Sequence, residues 1–359
     1  MIRRLSLCDF RNYESSDIRF ESKFNLFIGG NGQGKTNILE AVFFLAMLRS
    51  FRASGVRSLR RIGSSGFRVS ASVDEGRSWD TELDISYGDR RELRVDGVMV
   101  RRASEFVGRV RVVAFSPSDI MLVTESSSIR RRFLNMFVSS YSPAYLASLS
   151  EYGEALAARN AMLRAGNAGD SEFSAFESIL AERGSFVVGA RGAALSALSE
   201  AMSAAHAGII GGGGGGLSLR HQFNSATMDS AVYADKLAAD RVRDAARGAT
   251  SCGPHLDDFE FLLEGRSLRG YGSTGQCRLA ALCLKMAAVE ALDEGEGGGG
   301  VVTLVDDVTG ELDAATKNAF LRVLDRSRQS FLTFTERPAD TYLKGAALFQ
   351  VERGTVRAF

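Results

Sequence analysis

Gly29-Gly30-Asn31-Gly32-Gln33-Gly34-Lys35-Thr36 follows directly on the apolar run Phe24-Asn25-Leu26-Phe27-Ile28 and precedes Asn37-Ile38-Leu39-Glu40-Ala41-Val42-Phe43. Strand, glycine loop and helix start in this order read as a Walker A P-loop. Its backbone N–H groups can wrap a triphosphate, with Lys35 on the β/γ oxygens and the Thr36 hydroxyl on Mg²⁺. Glycine permits the positive φ and close backbone approach that such wrapping needs. The helix after the loop turns the positive end of its dipole toward the anion. Arginine far outnumbers lysine in this chain, yet the position that calls for a compact ammonium is Lys35. The loop predicts ATP and Mg²⁺ as ligands, with Lys35 in a catalytic role and Gly29 through Thr36 as the phosphate cradle.

A second half of the site is expected at Val301-Val302-Thr303-Leu304-Val305-Asp306-Asp307. The run reads as a buried parallel strand ending in acids, a Walker B pattern that gains meaning from the P-loop in the same chain. Asp306 is expected to hold Mg²⁺ with Thr36, and Asp307 to polarise the attacking water. The strand and the loop are expected as neighbours in one sheet. About 270 residues separate them, more than a compact P-loop fold needs, so a block of chain must emerge from the body as an insertion.

The insertion is legible in the periodicity. Residues 1–28 and 67–100 alternate with period two, with a hairpin signal at Asp96-Gly97, and Val110-Arg111-Val112-Val113-Ala114-Phe115 ends at Ser116-Pro117. From 129 the period becomes helical: Ile129, Phe133, Met136 and Phe137, then Tyr145, Leu149, Tyr152 and Leu156. Alanine-rich helices are expected over 171–207 and another around 231–247, with glycine tracts at 211–216 and 297–300 as loops. Strand pattern returns at 259–263, and a helix is expected near 276–292. The expectation is an α/β ATPase body of mixed sheets and helices formed by 1–128 and 247–359, with 129–246 as an inserted, mostly helical second lobe.

The chain has 359 residues, 45% of them apolar, and a net charge of +1. Total charge therefore says nothing about partners, but its distribution does. Arg49, Arg52, Arg57, Arg60, Arg61 and Arg68 fall in a stretch without an acid, and Arg101, Arg102, Arg109, Arg111 and Arg130-Arg131-Arg132 extend the bias. Such patches suit a phosphate backbone, solvated surface being the plainer alternative. Arg52, Arg57, Arg60, Arg61, Arg130 and Arg131 are the DNA-contact candidates, although helical geometry splays 130–132 and not all three can do one job. Cys8, Cys252, Cys277 and Cys283 show no Cys-x-x-Cys spacing, and three scattered histidines supply no zinc set. Free thiols in a reducing cytosol are expected. No signal-peptide pattern opens the chain, and its longest apolar run, 41–48, is too short for a bilayer. A cytoplasmic protein without a membrane partner is expected.

Between the two nucleotide motifs lies Tyr271-Gly272-Ser273-Thr274-Gly275-Gln276, opening a helix. Ser273 makes a good N-cap, but the segment also resembles the signature of ABC-type ATPases. Gly310-Glu311-Leu312-Asp313 resembles their D-loop. The resemblance implies that Ser273, Gly275 and Gln276 complete the partner's site in an ATP-dependent homodimer.

Over essentially its full length the chain resembles the RecF family. Asp9-Phe10-Arg11-Asn12-Tyr13, Gly32-Gln33-Gly34-Lys35-Thr36-Asn37, Phe115-Ser116-Pro117-Ser118-Asp119 and Arg130-Arg131-Arg132-Phe133-Leu134 carry the likeness. Ala158-Arg159-Asn160 with Leu163, Gly253-Pro254-His255-Leu256-Asp257-Asp258 and the later motifs add to it. The resemblance implies an ABC-type head like those of SMC proteins, without their long coiled coil. It further implies binding to double- and single-stranded DNA near gaps, weak DNA-dependent ATP hydrolysis, and cooperation with RecO and RecR in loading RecA. The chain departs from the family at Thr274, where glutamine is usual, at Leu256, where arginine is usual, and at Leu48-Arg49-Ser50-Phe51-Arg52, where Gly-Arg-Ser-His-Arg is usual. No switch histidine follows Walker B; Phe331-Leu332-Thr333-Phe334-Thr335 offers threonines, leaving γ-phosphate sensing unassigned.

An ABC transporter ATPase would carry the full Ser-Gly-Gly-Gln signature and a switch histidine. A GTPase would carry Asn-Lys-x-Asp, and a long-armed SMC protein hundreds of heptad residues. A small-molecule P-loop kinase would leave 273–276 as a mere helix cap. His255 reads as a ligand, a DNA contact or a turn residue after Gly253-Pro254. Arg11 reads as an adenine or phosphate contact, or as surface on an edge strand.

Overall fold

The computed structural model describes residues 1–359 apart from 53–54, 77, 167–168, 212–215, 225–226, 294–299, 309–311 and 339–344. Strands β1 (Ile2–Phe10) and β2 (Tyr13–Arg19) form a hairpin, and β3 (Phe24–Ile28) feeds helix α1 (Lys35–Met47). Strands β4 (Phe67–Val73), β5 (Thr81–Tyr87), β6 (Arg91–Val95) and β7 (Val98–Val100) complete an antiparallel sheet of order β2-β1-β4-β5-β6-β7. Period-two alternation explains its faces: Phe67, Val69, Ala71 and Val73 point inward, while Arg68 is exposed. Asp96 and Gly97 take φ of 51° and 78°, the double-positive turn their sequence calls for.

Strand β8 (Arg111–Phe115) leads outward through α2 (Met121–Thr124), α3 (Ser127–Ser139), α4 (Pro143–Ala165) and the 41-residue α5 (Asp170–Ile210). Then come β9 (Leu217–Gln222), α6 (Ser230–Ala239), α7 (Arg241–Arg247), β10 (Asp258–Leu263), β11 (Arg266–Ser267) and α8 (Leu268–Tyr271). The chain returns with α9 (Thr274–Asp293), β12 (Val301–Asp306), α10 (Ala314–Arg326), β13 (Gln329–Phe334), β14 (Ala347–Glu352) and β15 (Thr355–Ala358). The central sheet runs β15-β14-β3-β13-β12-β8 and is parallel except for β15. Both of its faces are covered, which is why 301–305 is buried without alternation and apolar but for Thr303.

One core packs the antiparallel sheet and α1 onto this central sheet. At its centre, Phe20 meets Phe27, Phe331 and Phe349 with ring centroids 4.9 to 6.3 Å apart. The other core sets α9, α10, α3 and the second half of α5 against the opposite face. A small satellite cluster of Tyr152, Leu180, Tyr233 and Leu237 holds the outer end of the second lobe. Among the described residues α5 is the one helix long and apolar enough to cross a bilayer. Yet it buries Glu177 and Arg191, each ion-paired inside the protein.

Two expectations change. Strands β3 and β12 share a sheet but are not neighbours, because β13 lies between them and pairs with both. The break expected at 246 also falls between strands that pair with one another. Strand β9, unanticipated within the helical block, pairs with β10 and β10 with β11, so one small sheet straddles that break. β9 is only six residues long and its partner lies some 40 residues downstream, beyond the reach of local pattern.

Candidate nucleotide site

The loop at 29–34 is held open by its neighbours. Gly32 and Gly34 have φ of 76° and 118°, which side-chain-bearing residues rarely adopt. A Cβ on Gly29 would lie 2.3 Å from the Val351 carbonyl oxygen. One on Gly34 would lie within 2.9 Å of the Asn12 amide and the Tyr13 hydroxyl. Those contacts are the loop's braces. The Tyr13 hydroxyl donates to Gly34 O (3.0 Å) and Asn12 Nδ2 to Gln33 O (3.0 Å). The backbone N–H of Gly354 donates to Gln33 O (3.1 Å), and that of Arg353 to Gln33 Oε1 (2.8 Å). Burial pushes the Tyr13 phenol well above its ordinary range, so it remains a donor. The cradle is thus clamped by the β1–β2 turn and the β14–β15 turn. Asn12 and Tyr13 carry the family likeness in sequence without revealing this role. The main-chain donors at 353 and 354 leave no side-chain signal at all.

Lys35 is buried, its ammonium donating to the carbonyls of Gly29 (2.6 Å) and Gly30 (2.8 Å). Burial lowers its pKa, opposed by the charges of Asp307 and Asp306, so the ammonium lies within electrostatic reach of both acids. Thr36 Oγ1 donates to Asp306 Oδ1 at 2.7 Å, joining the P-loop to the end of β12. The same Asp306 oxygen accepts from Thr333 Oγ1 (3.0 Å), and Thr333 Oγ1 accepts the N–H of Asp307 (3.1 Å). Asp307 has φ of 54° and an exposed side chain. An L-residue in that region is strained, and the bond from Thr333 holds it there. Thr333 owes its place to β13 lying between the two motif strands. The sequence could show the threonine, but not this strand order.

The donor set at Thr36 and Asp306 suits Mg²⁺. Among the described residues no cluster of three or more His, Cys, Asp or Glu occurs. A hydroxyl and one carboxylate, completed by phosphate oxygens and waters, match an ion that dehydrates reluctantly.

Ser273 and Gln276 form a reciprocal cap on α9: Ser273 Oγ accepts the Gln276 N–H (3.2 Å) and Gln276 Oε1 accepts the Ser273 N–H (2.9 Å). Ser273, Thr274, Gly275 and Gln276 are all exposed. No hydrogen bond among the described residues ties them to 29–36. Of the expected D-loop, Gly310 and Glu311 lie outside the described residues. Asp313 caps α10 through the N–H groups of Ala315 and Thr316, both at 3.0 Å.

The arginines separate by partner. Arg52 and Arg57 are exposed. Arg60 turns back on the carbonyls of Arg57 and Ser65, and Arg61 pairs with Asp9 at 2.6 Å. Arg131 is half-buried and donates to the Asp257 carbonyl (2.7 Å). Arg130, a DNA candidate from sequence, is corrected: it is 3% exposed and forks onto Asp258 at 2.7 and 2.9 Å, packing α3 to β10. Four of its five N–H groups are engaged, two on Asp258 and two on the carbonyls of Leu122 and Glu125, which leaves no fork to offer a phosphate backbone. Arg11 likewise forks onto buried Glu40, at 2.7 Å to each oxygen, and ties the β1–β2 turn to α1. His255 Nε2 donates to the Thr250 carbonyl (3.1 Å) and its Nδ1 meets the Tyr152 hydroxyl (2.6 Å), the arrangement of a structural histidine. Leu48 takes φ of 54°, a conformation that glycine accepts without strain, at the position where the family pattern usually has glycine.

Residues 1–353 match the family described as RecF/RecN/SMC N terminal domain. The DNA replication and repair protein RecF of Shouchella clausii (strain KSM-K16) is 33% identical over 377 residues, covering 99% of each chain. That of Synechococcus sp. (strain JA-3-3Ab) is 35% identical over 370 residues, covering 99% of this chain and 97% of its own. A solved structure of the recombination mediator protein RecF with ATP, described in the RecFOR pathway, superposes with a TM-score of 0.90 at 29% identity. It covers 100% of this chain and 97% of that one. An Smc head bound to the C-winged helix domain of ScpA shares the fold, with a TM-score of 0.54 at 16% identity.

Proposed function

The chain belongs to the RecF family of DNA replication and repair proteins, and from that membership we propose that it is a nucleotide-gated DNA-binding protein of recombinational repair. In this reading ATP closes two copies around duplex DNA near a single-strand gap. Slow hydrolysis then releases them, and RecO and RecR cooperate in loading RecA. The observation that carries it is the 2.7 Å contact between Thr36 and Asp306, residues 270 positions apart brought to one point beside Lys35.

Gly30, Asn31, Gly32, Gln33 and Gly34 present main-chain N–H groups to the phosphates, Gly29 anchors the start of the cradle through its N–H on the Phe334 carbonyl (3.2 Å), and Lys35 places its ammonium on the β/γ oxygens. Thr36 and Asp306 would hold Mg²⁺, which when bound neutralises developing charge on the phosphoryl oxygens. Asp307 orients and deprotonates the attacking water. Thr333 positions it, by fixing the backbone from which its carboxylate projects. Ser273, Gly275 and Gln276, exposed on the capped start of α9, reach the triphosphate of the second copy. Family membership displaces the transporter reading.

Thr333 can be tested separately from binding. Thr333→Val keeps the shape but loses both polar contacts. Turnover of ATP is expected to fall about 10- to 100-fold with little change in KM, as for a group acting only on the reacting geometry. Thr333→Ser should restore most of it. Equal losses in the serine and valine variants would indicate a packing role alone.

The principal experiment is fluorescence anisotropy of a labelled gapped duplex with ATP, ADP or no nucleotide, comparing the unaltered chain with Asp307→Asn. Tight binding that needs ATP, and that persists in Asp307→Asn because hydrolysis no longer resets it, is expected. Absence of DNA binding in every nucleotide state would overturn the proposal.

A further inference from the structure

Arg49, just past the end of α1, and Arg131 and Arg132 on α3 line one cleft of about 280 Å³ over a floor that includes Met47 and Met136. No carboxylate lines it. Arg132 donates to the Ser50 carbonyl and Arg131 to the Asp257 carbonyl. A backbone carbonyl orients a guanidinium but leaves its charge uncancelled. The acids nearest Arg131 are already engaged, Asp257 by Arg191 and Asp258 by Arg130. Arg49, and Arg91 at the start of β6, have no ion-pair partner among the described residues. Many other arginines do: Arg11, Arg61, Arg130, Arg159 and Arg191 each hold a carboxylate. Arg49 also stands close enough to Arg91 and Arg132 that its repulsion, second to burial, depresses the pKa of both. The carbonyl end of α1 points here too, but contributes only about half a negative charge against several whole positive ones.

We infer that this cleft, lined by Arg49, Arg131 and Arg132 and with Arg91 outside its rim on the Arg49 side, is a phosphate-binding site for the backbone of a DNA strand. It is distinct from the nucleotide cradle. Both lie on α1, but the helix has 13 residues, placing its two ends about 20 Å apart. Four cations from α3, β6 and the end of α1, two of them fixed by carbonyls, match successive phosphates better than one small anion. The assignment rests on the DNA-binding reading above and refines it. The strand is gripped where the antiparallel sheet meets the second lobe, and Arg130 is not among its contacts.

The test compares Arg49→Gln/Arg91→Gln, whose side chains both reach solvent although the Arg91 guanidinium is partly covered, with a control of equal charge change on α10, Arg322→Gln/Arg326→Gln. Duplex affinity is measured with ATP across a potassium chloride series, and the thermal shift caused by inorganic tripolyphosphate is measured in parallel. The P-loop contributes equally to that shift in all proteins. In the cleft variant affinity is expected to fall about 10-fold or more on every sequence, and the salt slope by about one to two, while the control changes neither. An unchanged slope in the cleft variant would overturn the assignment. If the unaltered chain binds no DNA at all, the functional reading fails by itself. A tripolyphosphate shift larger than in the cleft variant would then replace DNA with a free polyphosphate as the ligand. Equal shifts would remove the site altogether.

Discussion

Lys35→Met is expected to weaken ATP binding by about 100- to 1,000-fold and to abolish measurable turnover, while the protein remains folded. The side chain is the ammonium nearest the centre of the cradle, arched between the carbonyls of Gly29 and Gly30. Loss of one preorganised charged donor at a phosphoryl site costs on the order of 3–4 kcal/mol, which is that range of affinity. Stability of the nucleotide-free chain should barely change, because methionine fills the stem's volume and the lysine is not an asset there. Its pKa is lowered in the fold, chiefly by burial. A lysine whose folded pKa lies below its unfolded value contributes a penalty that is fully present below the folded pKa. The penalty is relieved as pH rises toward the unfolded value. Relative to Lys35→Met, the unaltered chain should therefore gain melting temperature as pH is raised through that window without nucleotide. With ATP bound the trend should vanish, since the phosphates restore the charged form. Equilibrium titration with a fluorescent ATP analogue and melting curves between pH 7 and 10 check both. Retained affinity in Lys35→Met would sink the assigned role of the cradle.

Most of the ATPase body was legible because its signals are local. The P-loop is contiguous, its two positive-φ positions are glycines, and 301–305 is buried throughout and apolar but for Thr303 because β12 is covered on both faces. What could not be read was spatial order. That β13 intervenes between β3 and β12 decides that Thr333, rather than any histidine, touches both Asp306 and Asp307. Arginine gave the weakest reading. Arg130, Arg131 and Arg132 are adjacent in sequence. Yet one is buried on a carboxylate and the other two are held by carbonyls, a difference set by which elements pack against α3. Charge runs announce that arginines are present. Only the partners show which keep their charge available.

The same distinction governs the second lobe, where Arg159 lies in the block that resembles the family yet touches neither nucleotide nor DNA candidates. It is fully buried and donates to Glu177 on α5 (3.0 Å), Asp244 on α7 (2.8 Å), Thr250 (2.9 Å) and the Leu237 carbonyl on α6 (2.8 Å). Asn160 beside it accepts both the N–H and the hydroxyl of Thr250 at 2.8 Å. The apolar cluster here is small, so this polar hub organises the outer end of the lobe. Arg159→Met should destabilise it by about 3–5 kcal/mol, because the buried carboxylate of Asp244 would lose its cation. Glu177 suffers less, since Arg241 also pairs with it. A second change, Asp244→Asn, should recover part of the loss by removing the uncompensated charge. Since the satellite cluster is separate from the two main cores, the damage should be local. Hydrogen exchange is expected to accelerate in α6, α7 and the adjoining halves of α4 and α5, while ATP affinity stays within about twofold. Unchanged protection in those helices would show that apolar packing alone suffices. Loss of ATP binding alongside would show that the two lobes fold as one cooperative unit.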